Sequence, residues 1–203
     1  KIAVIDVDGI ILNMRSSELF GTGENPVNLF VEKLDRAEAD SNVKAVVIRI
    51  NSPGGGVAAS DIMYQRLLRF RLARKVPVVA SITDIGASGG YMIACGADTI
   101  YAMPSSITGS IGVIVQLFSI AGTLDKLGIE TKAVTSGRFK DIASPLKPIS
   151  EQDQKLIQKI VDEYYEDFVA VVDAGRPNLN VEQVRQLADG RVYTGEQAKA
   201  VGL

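Results

Sequence analysis

The sequence predicts an α/β domain with a mostly parallel sheet. Three observations carry that reading. Short β-branched apolar runs alternate with segments whose apolar residues recur at helical spacing, the order that right-handed βαβ crossovers produce. Two of the runs end in glycine-rich turns that lead straight into helical patterns. The 203 residues contain no repeat, low-complexity tract or linker, so a single domain spanning 1–203 is expected.

Ile2 to Val7 reads as the first strand, followed by a polar, glycine-containing stretch to Glu24. Asn25-Pro26 is an N-cap before a proline at the first helical position, and Val27, Phe30, Leu34 and Ala37 follow on one helical face. Lys44 to Ile50 is a β-branched run that Asn51-Ser-Pro-Gly-Gly-Gly56 is expected to stop. Ala59, Met63, Leu67 and Phe70 mark the next helix, Val76 to Ser81 a buried strand, and Tyr91 to Gly96 the first turns of a buried helix. Further strands are expected at Asp98 to Met103, Ile111 to Val115 and Ile129 to Val134, with a helix near 119–127 and a loop from Thr135 to Ile149. Ser150, with Asp153 three residues on, starts the longest helix, whose expected stripe is Ile157, Ile160, Val161, Tyr164, Phe168 and Val171. Asn180 and Thr194 cap two short helices, the second with Gln197 completing a capping box.

Composition excludes several chemistries. A net charge of −2 supplies no basic footprint for nucleic acid. The single cysteine, Cys95, lies in an apolar run and reads as a buried structural thiol. There is no histidine, so neither a Ser-His-Asp triad nor a Cys-His pair can be assembled from this chain. No apolar run reaches the roughly 18 residues of a membrane span. The chain opens inside a strand and stops at Ala200-Val-Gly-Leu203, as a domain excised from a longer protein would.

Two turns carry candidate chemistry. Ile85-Gly-Ala-Ser-Gly-Gly-Tyr91 puts Ser88 at a strand-to-helix turn among small residues, where another molecule's backbone can approach and orphan helix N–H groups favour negative charge. Asn51-Ser-Pro-Gly-Gly-Gly56 exposes bare amides before a helix but lacks the Gly-Lys-Ser/Thr ending of a phosphate loop. Each alone also describes an ordinary turn. Side by side at the carboxyl ends of strands, they could combine Ser88 with the amides of Gly55 and Gly89 as a nucleophile and an oxyanion site. The base must then be something other than histidine. A lysine can serve if burial lowers its pKa from ~10.4 to near ~7–8, a penalty of roughly 3–4 kcal/mol on the charged form. Lys140, in a loop between Phe139 and Ile142, is one candidate, and Lys147, between two prolines, is its local competitor. Spacing does not decide between Lys140 as a base and Lys140 as a plain loop residue.

Ile50-Asn-Ser-Pro-Gly-Gly-Gly56, Gly86-Ala-Ser-Gly-Gly-Tyr91, Ile107-Thr-Gly-Ser-Ile-Gly112 and Ser136-Gly-Arg-Phe-Lys-Asp141 resemble, in order, the motifs of the signal peptide peptidase A family. Val192-Tyr-Thr-Gly-Glu-Gln-Ala198 resembles its C-terminal signature, so the likeness covers essentially the whole chain. The resemblance implies the Clp protease/crotonase-like fold, a spiral of ββα units, and a serine protease with a Ser-Lys dyad and no cofactor or metal. Ser88 would be the nucleophile, Lys140 the general base, Ser110 the residue orienting the lysine amine, and Gly55 and Gly89 the oxyanion amides. It further implies a homo-oligomeric ring with active sites shared between subunits, peptide substrates such as remnant signal peptides and unfolded apolar segments, and no nucleic acid. Attachment to the cell membrane would be through an N-terminal segment outside this sequence, with the catalytic domain on the extracytoplasmic side.

Three rivals are weighed against it. Val4-Ile-Asp-Val-Asp-Gly-Ile-Ile-Leu12 resembles the aspartate-nucleophile motif of haloacid-dehalogenase-type phosphatases, with Asp6 attacking phosphorus beside Mg²⁺ and Asp8 handling protons. That chemistry needs a later acidic pair after a strand, and Asp98, Asp162 and Asp167 do not supply one. A crotonase-type acyl-CoA enzyme needs glutamates near the glycine turns, and none is there. A catalytically dead scaffold is disfavoured by the presence of both Ser88 and Lys140.

Overall fold

A computed structural model describes residues 1–15, 17–18 and 21–203. Ser16, Leu19 and Phe20, within the polar stretch expected before Glu24, lie outside the described residues. The chain runs β1 (Ile2–Ile11), β2 (Ser17–Glu18), β3 (Gly21–Thr22), α1 (Pro26–Ala39), β4 (Ala45–Gly55), α2 (Val57–Arg74) and β5 (Val78–Ala87). It continues with α3 (Gly89–Cys95), β6 (Thr99–Ala102), β7 (Ile107–Gly109), α4 (Ala121–Lys126), α5 (Glu151–Gly175), α6 (Val181–Leu187), β8 (Val192–Thr194) and α7 (Gly195–Val201). The main sheet has the order β1-β4-β5-β7-β8, with β6 also pairing β5. Every pair in it is parallel except β7 with β8. This mixed, mostly parallel spiral of strands and helices is the fold class expected.

The chain divides into two compact units, residues 1–112 with 167–203, and residues 113–166. In the first, alternate residues Val46, Ile48 and Ile50 of β4 and Val78, Ala80 and Ile82 of β5 point into the core. Phe30 and Leu34 of α1 and Leu67 and Phe70 of α2 close over them. Asn25 caps α1 as expected, its side-chain oxygen accepting from the N–H groups of Val27 (3.0 Å) and Asn28 (3.3 Å). The far end of α1 is closed by Arg74, at the end of α2. Its guanidinium donates to the carbonyls of Ala37 (2.8 Å), Glu38, Asp40 (3.1 Å) and Val43 (3.1 Å), at a helix terminus and its exit loop; of these the Asp40 carbonyl also accepts from the Val43 N–H (3.0 Å).

Several expected boundaries move, each for an identifiable reason. β4 does not stop at Ile50 but runs to Gly55, because the Ser52 hydroxyl takes over where Pro53 has no N–H to give. It donates to the Gly9 carbonyl (2.6 Å) and accepts from the Gly54 N–H (3.1 Å), and the registers of β1–β4 and β4–β5 both shift at this point. β5 begins two residues later than expected and runs through to Ala87, and its first N–H is taken by the Asp98 carboxylate (2.7 Å). The strand expected at Ile111 to Val115 forms instead at Ile107–Gly109, where β5 and β8 offer partners. No strand forms over 129–134. Ile129 is 50% and Val134 95% exposed, and a β-branched run without a partner strand has nothing to pair with.

In the second unit, among its described residues, Asp153 alone is fully buried. The expected stripe of α5 holds only in part: Ile160 and Tyr164 are exposed, and Phe168, Val169 and Val172 provide the buried face where the helix continues into the first unit. Asn180 and Thr194 both form complete capping boxes, with Gln183 and Gln197.

Replacing Arg74 by Met keeps its apolar stem and removes all four of these bonds. Urea denaturation should show a loss of about 1–3 kcal/mol, with lysine restoring only part of it.

Candidate active site

The carboxyl ends of β4, β5 and β7 meet at one place in the first unit. Ser52 stands opposite Gly86, and Ala87 opposite Gly109, so the sheet register itself brings three sequence motifs together. The Ser88 N–H donates to the Gly109 carbonyl at 2.8 Å, and its carbonyl accepts from Met92 at 2.9 Å in the first turn of α3. Ser88 is the N-cap residue of α3, yet its side chain makes no capping bond, because φ 52° and ψ −122° turn it away from the helix. A non-glycine residue in that conformation is strained, and the strain persists only because its surroundings over-determine it. The hydroxyl is left half-buried at the head of a helix whose residues from Gly89 to Cys95 are all buried.

The Gly-rich turn after β4 lies directly against this serine. A Cβ built on Gly54 would fall 2.6 Å from the Gly89 nitrogen and 2.8 Å from Ser88 Cβ. One built on Gly89 would fall 2.1 Å from Ser60 Oγ and 3.4 Å from the Gly55 nitrogen. The two turns touch through bare backbone. Buried hydroxyls hold them there: Ser52 as described above, Ser60 donating to the Gly56 carbonyl (3.0 Å), and Thr108 donating to the Gly86 carbonyl (2.7 Å). Sequence reading did not single out these three, and nothing in their spacing says which carbonyl each would reach.

Gly55, Ser88, Gly89 and Ser110 thus belong to one constellation. Ser110 follows Gly109, adopts φ 51° and donates its N–H to the Arg191 carbonyl at 2.8 Å, fixing the loop after β7 against the start of β8. Lys140 belongs to the second unit. It is exposed, in a run of turns where its N–H donates to the Gly137 carbonyl at 3.1 Å. Its competitor Lys147 is committed elsewhere, with Nζ 2.9 Å from Asp141 Oδ1 and 2.8 Å from Asp153 Oδ2. Asp153 and then Asp141 raise the Lys147 pKa, so this amine is held protonated. Cys95 is fully buried, and burial pushes its thiol up to about 11, which leaves no thiolate near neutral pH. Asp6 of the phosphatase-like motif accepts from Arg49 at 2.7 Å on the outer side of β1.

A sequence profile described as Peptidase family S49 matches residues 71–203. The chain belongs to that family. It is 37% identical over its whole length to "Putative signal peptide peptidase SppA" of Enterococcus faecium and 36% identical to Protease 4 of Salmonella typhi. The chain spans 58% of the first protein's length and 32% of the second's. Among solved structures, a ClpP1 mutant from Listeria monocytogenes superposes with a TM-score of 0.62 over 98% of this chain and 86% of that one, at 17% identity. The S49 chain therefore shares the ClpP-like fold.

Gly55 offers a direct test of how tightly the turns are seated. A Cβ there would fall 2.0 Å from the Ile11 carbonyl oxygen, so Gly55→Ala must push β4 off β1. A stability loss of about 1–3 kcal/mol is expected on thermal unfolding, together with loss of any activity that depends on the turn.

Proposed function

We propose that this chain is the catalytic domain of a serine endopeptidase working with a Ser-Lys dyad. The observation that carries the reading is Ser88 itself: a strained, uncapped N-cap serine packed against the bare Gly54-Gly55 turn at the head of a buried helix. Membership of a peptidase family supports it. Ser88 Oγ attacks the scissile carbonyl carbon while neutral Lys140 takes its proton, and the amides of Gly55 and Gly89 receive the oxyanion. Lys140 then returns the proton to the leaving nitrogen, and water released of a proton by the same amine hydrolyses the acyl-enzyme. Ser110 orients the lysine amine. No metal or cofactor takes part.

The substrates we infer are extended, largely apolar peptides, including remnant signal peptides after their release by signal peptidase. The relative bearing the signal peptide peptidase name supports that class. We further infer a homo-oligomeric ring in which Ser88 of one chain works with Lys140 of the next, and attachment to the cell membrane on the extracytoplasmic side through a segment outside this sequence. The ClpP-like fold and the exposed apolar surface of the second unit, with Ile114 84% and Phe118 66% exposed, favour assembly. None of the helices described here is long and apolar enough to cross a membrane.

Ser88→Ala should lower peptidase kcat by about 10⁴-fold or more, and Lys140→Ala by a similar factor with little change in stability. Mixing the two inactive variants should restore part of the activity if the site is shared between subunits. Activity that survives Ser88→Ala and needs Mg²⁺ would replace this reading with the phosphatase one. In the wild type, activity should rise through neutral into mildly alkaline pH, as a neutral lysine base requires; a maximum near pH 4–5 would contradict it.

A further inference from the structure

Lys140 sits in a stretch without sheet or helix to hold it. Successive turns run through it, with Lys140 donating to Gly137 (3.1 Å), Ile142 to Phe139 (3.2 Å) and Ser144 to Asp141 (3.0 Å). Two side chains, one on each side of Lys140, reach the first turn of α5. Arg138 donates to Gln152 Oε1 and stacks over the Phe139 ring at 5.4 Å. Lys147 bridges Asp141 and Asp153, and its own carbonyl accepts from the Ser119 hydroxyl at 2.6 Å. Asp153 has a side chain only 6% exposed, so its carboxylate needs a cation nearby. Asp141 is the immediate neighbour of Lys140.

We propose that Lys147 is a positioning residue for Lys140: it ties the loop to α5 and takes up the negative charge of the carboxylate beside the proposed base. The inference rests on the reading of Lys140 as general base. A base of this kind must be neutral to act, and Asp141, the next residue in the chain, would as an unpaired carboxylate favour its charged form. The remaining charged groups of the loop and the α5 turn are accounted for, since Arg138 is directed to Gln152 and Glu151 lies 3.9 Å from Lys155. Lys140 itself makes no side-chain hydrogen bond or ion pair among the described residues.

The bridge does not titrate where the enzyme would work. Lys147 is raised by Asp153 and Asp141, so its contribution is complete below the ordinary lysine range and is lost only as pH rises through its raised value. Asp141 is lowered by Lys147, so its contribution is complete above the ordinary carboxylate range and is lost only as pH falls through its lowered value. Between about pH 5 and 10 both stay charged. A pH limb of activity inside that window belongs to another group.

The test is kcat/KM against pH for the full-length protein and its variants. Lys147→Met should lower kcat about tenfold or more, leave KM within about twofold and move the acid limb about one pH unit alkaline. Lys147→Arg should restore both. Lys147→Met combined with Asp141→Asn should return the limb to its wild-type position while kcat stays low. Asp141→Asn alone keeps the Lys147–Asp153 pair, and so carries the test should Lys147→Met fail to fold on circular dichroism; its limb should move to lower pH. An unmoved limb in both Lys147→Met and Asp141→Asn, whatever the loss in kcat, overturns the proposal and leaves the dyad standing. Full activity in Lys140→Ala overturns the dyad instead.

Discussion

The close approach of two strand-to-helix turns is the constraint on which the rest of the site depends. Gly54 and Gly55, ending β4, and Ser88 and Gly89, joining β5 to α3, meet with no room for a side chain between them. Parallel pairing of β4 with β5 carries both chains to the same end of the sheet, and the register shift after Ile50 lets the first turn fold over the second. Ser88 is then held in a conformation that L-residues avoid, with its backbone bonded on one side to Gly109 and on the other to α3. Strain of this kind costs of order 1–3 kcal/mol, which a buried apolar helix and a six-stranded sheet can offset.

Small hydroxyl side chains do much of the holding. Ser52 stands in for a ladder bond that Pro53 cannot make, Thr108 ties β7 to the Gly86 carbonyl, and Ser60 closes the first turn of α2 under Gly89. Each is buried with its partner satisfied, which makes a polar cluster rigid rather than costly. The second unit is organised differently. It has almost no apolar core of its own, and its one buried residue among those described is a charge, Asp153, paired with the partly exposed Lys147. A pairing of that sort specifies geometry more than it adds stability.

The fold was legible from the alternation of strands and helices because β4, β5 and their helices follow local rules: β-branched runs, helical stripes and the caps at Asn25, Asn180 and Thr194. The residues forming the turns were legible too, since glycines after a strand have few other uses. What could not be read was set by partners distant in sequence. Ile129 to Val134 looks like a strand and is not one because no neighbouring strand is there to pair with. β4 reads as ending at Ile50, and it is the pairing of Asn51, Gly54 and Gly55 with β1 and of Ser52 with Gly86, together with the Ser52–Gly9 contact, that extends it. The choice between Lys140 and Lys147 was open on spacing alone. Two carboxylates, Asp141 earlier in the same loop and Asp153 on α5, hold Lys147 as a cation, and Lys140 is the base we propose.

Everything proposed for the site turns on Ser88 being a nucleophile activated by a lysine. The most direct measurement is peptide mapping by mass spectrometry of the protein after treatment with a fluorophosphonate. One adduct is expected, on Ser88, formed more slowly by at least a hundredfold when Lys140 is replaced by alanine. An adduct on another residue, or labelling of Ser88 at an unchanged rate without Lys140, would contradict it.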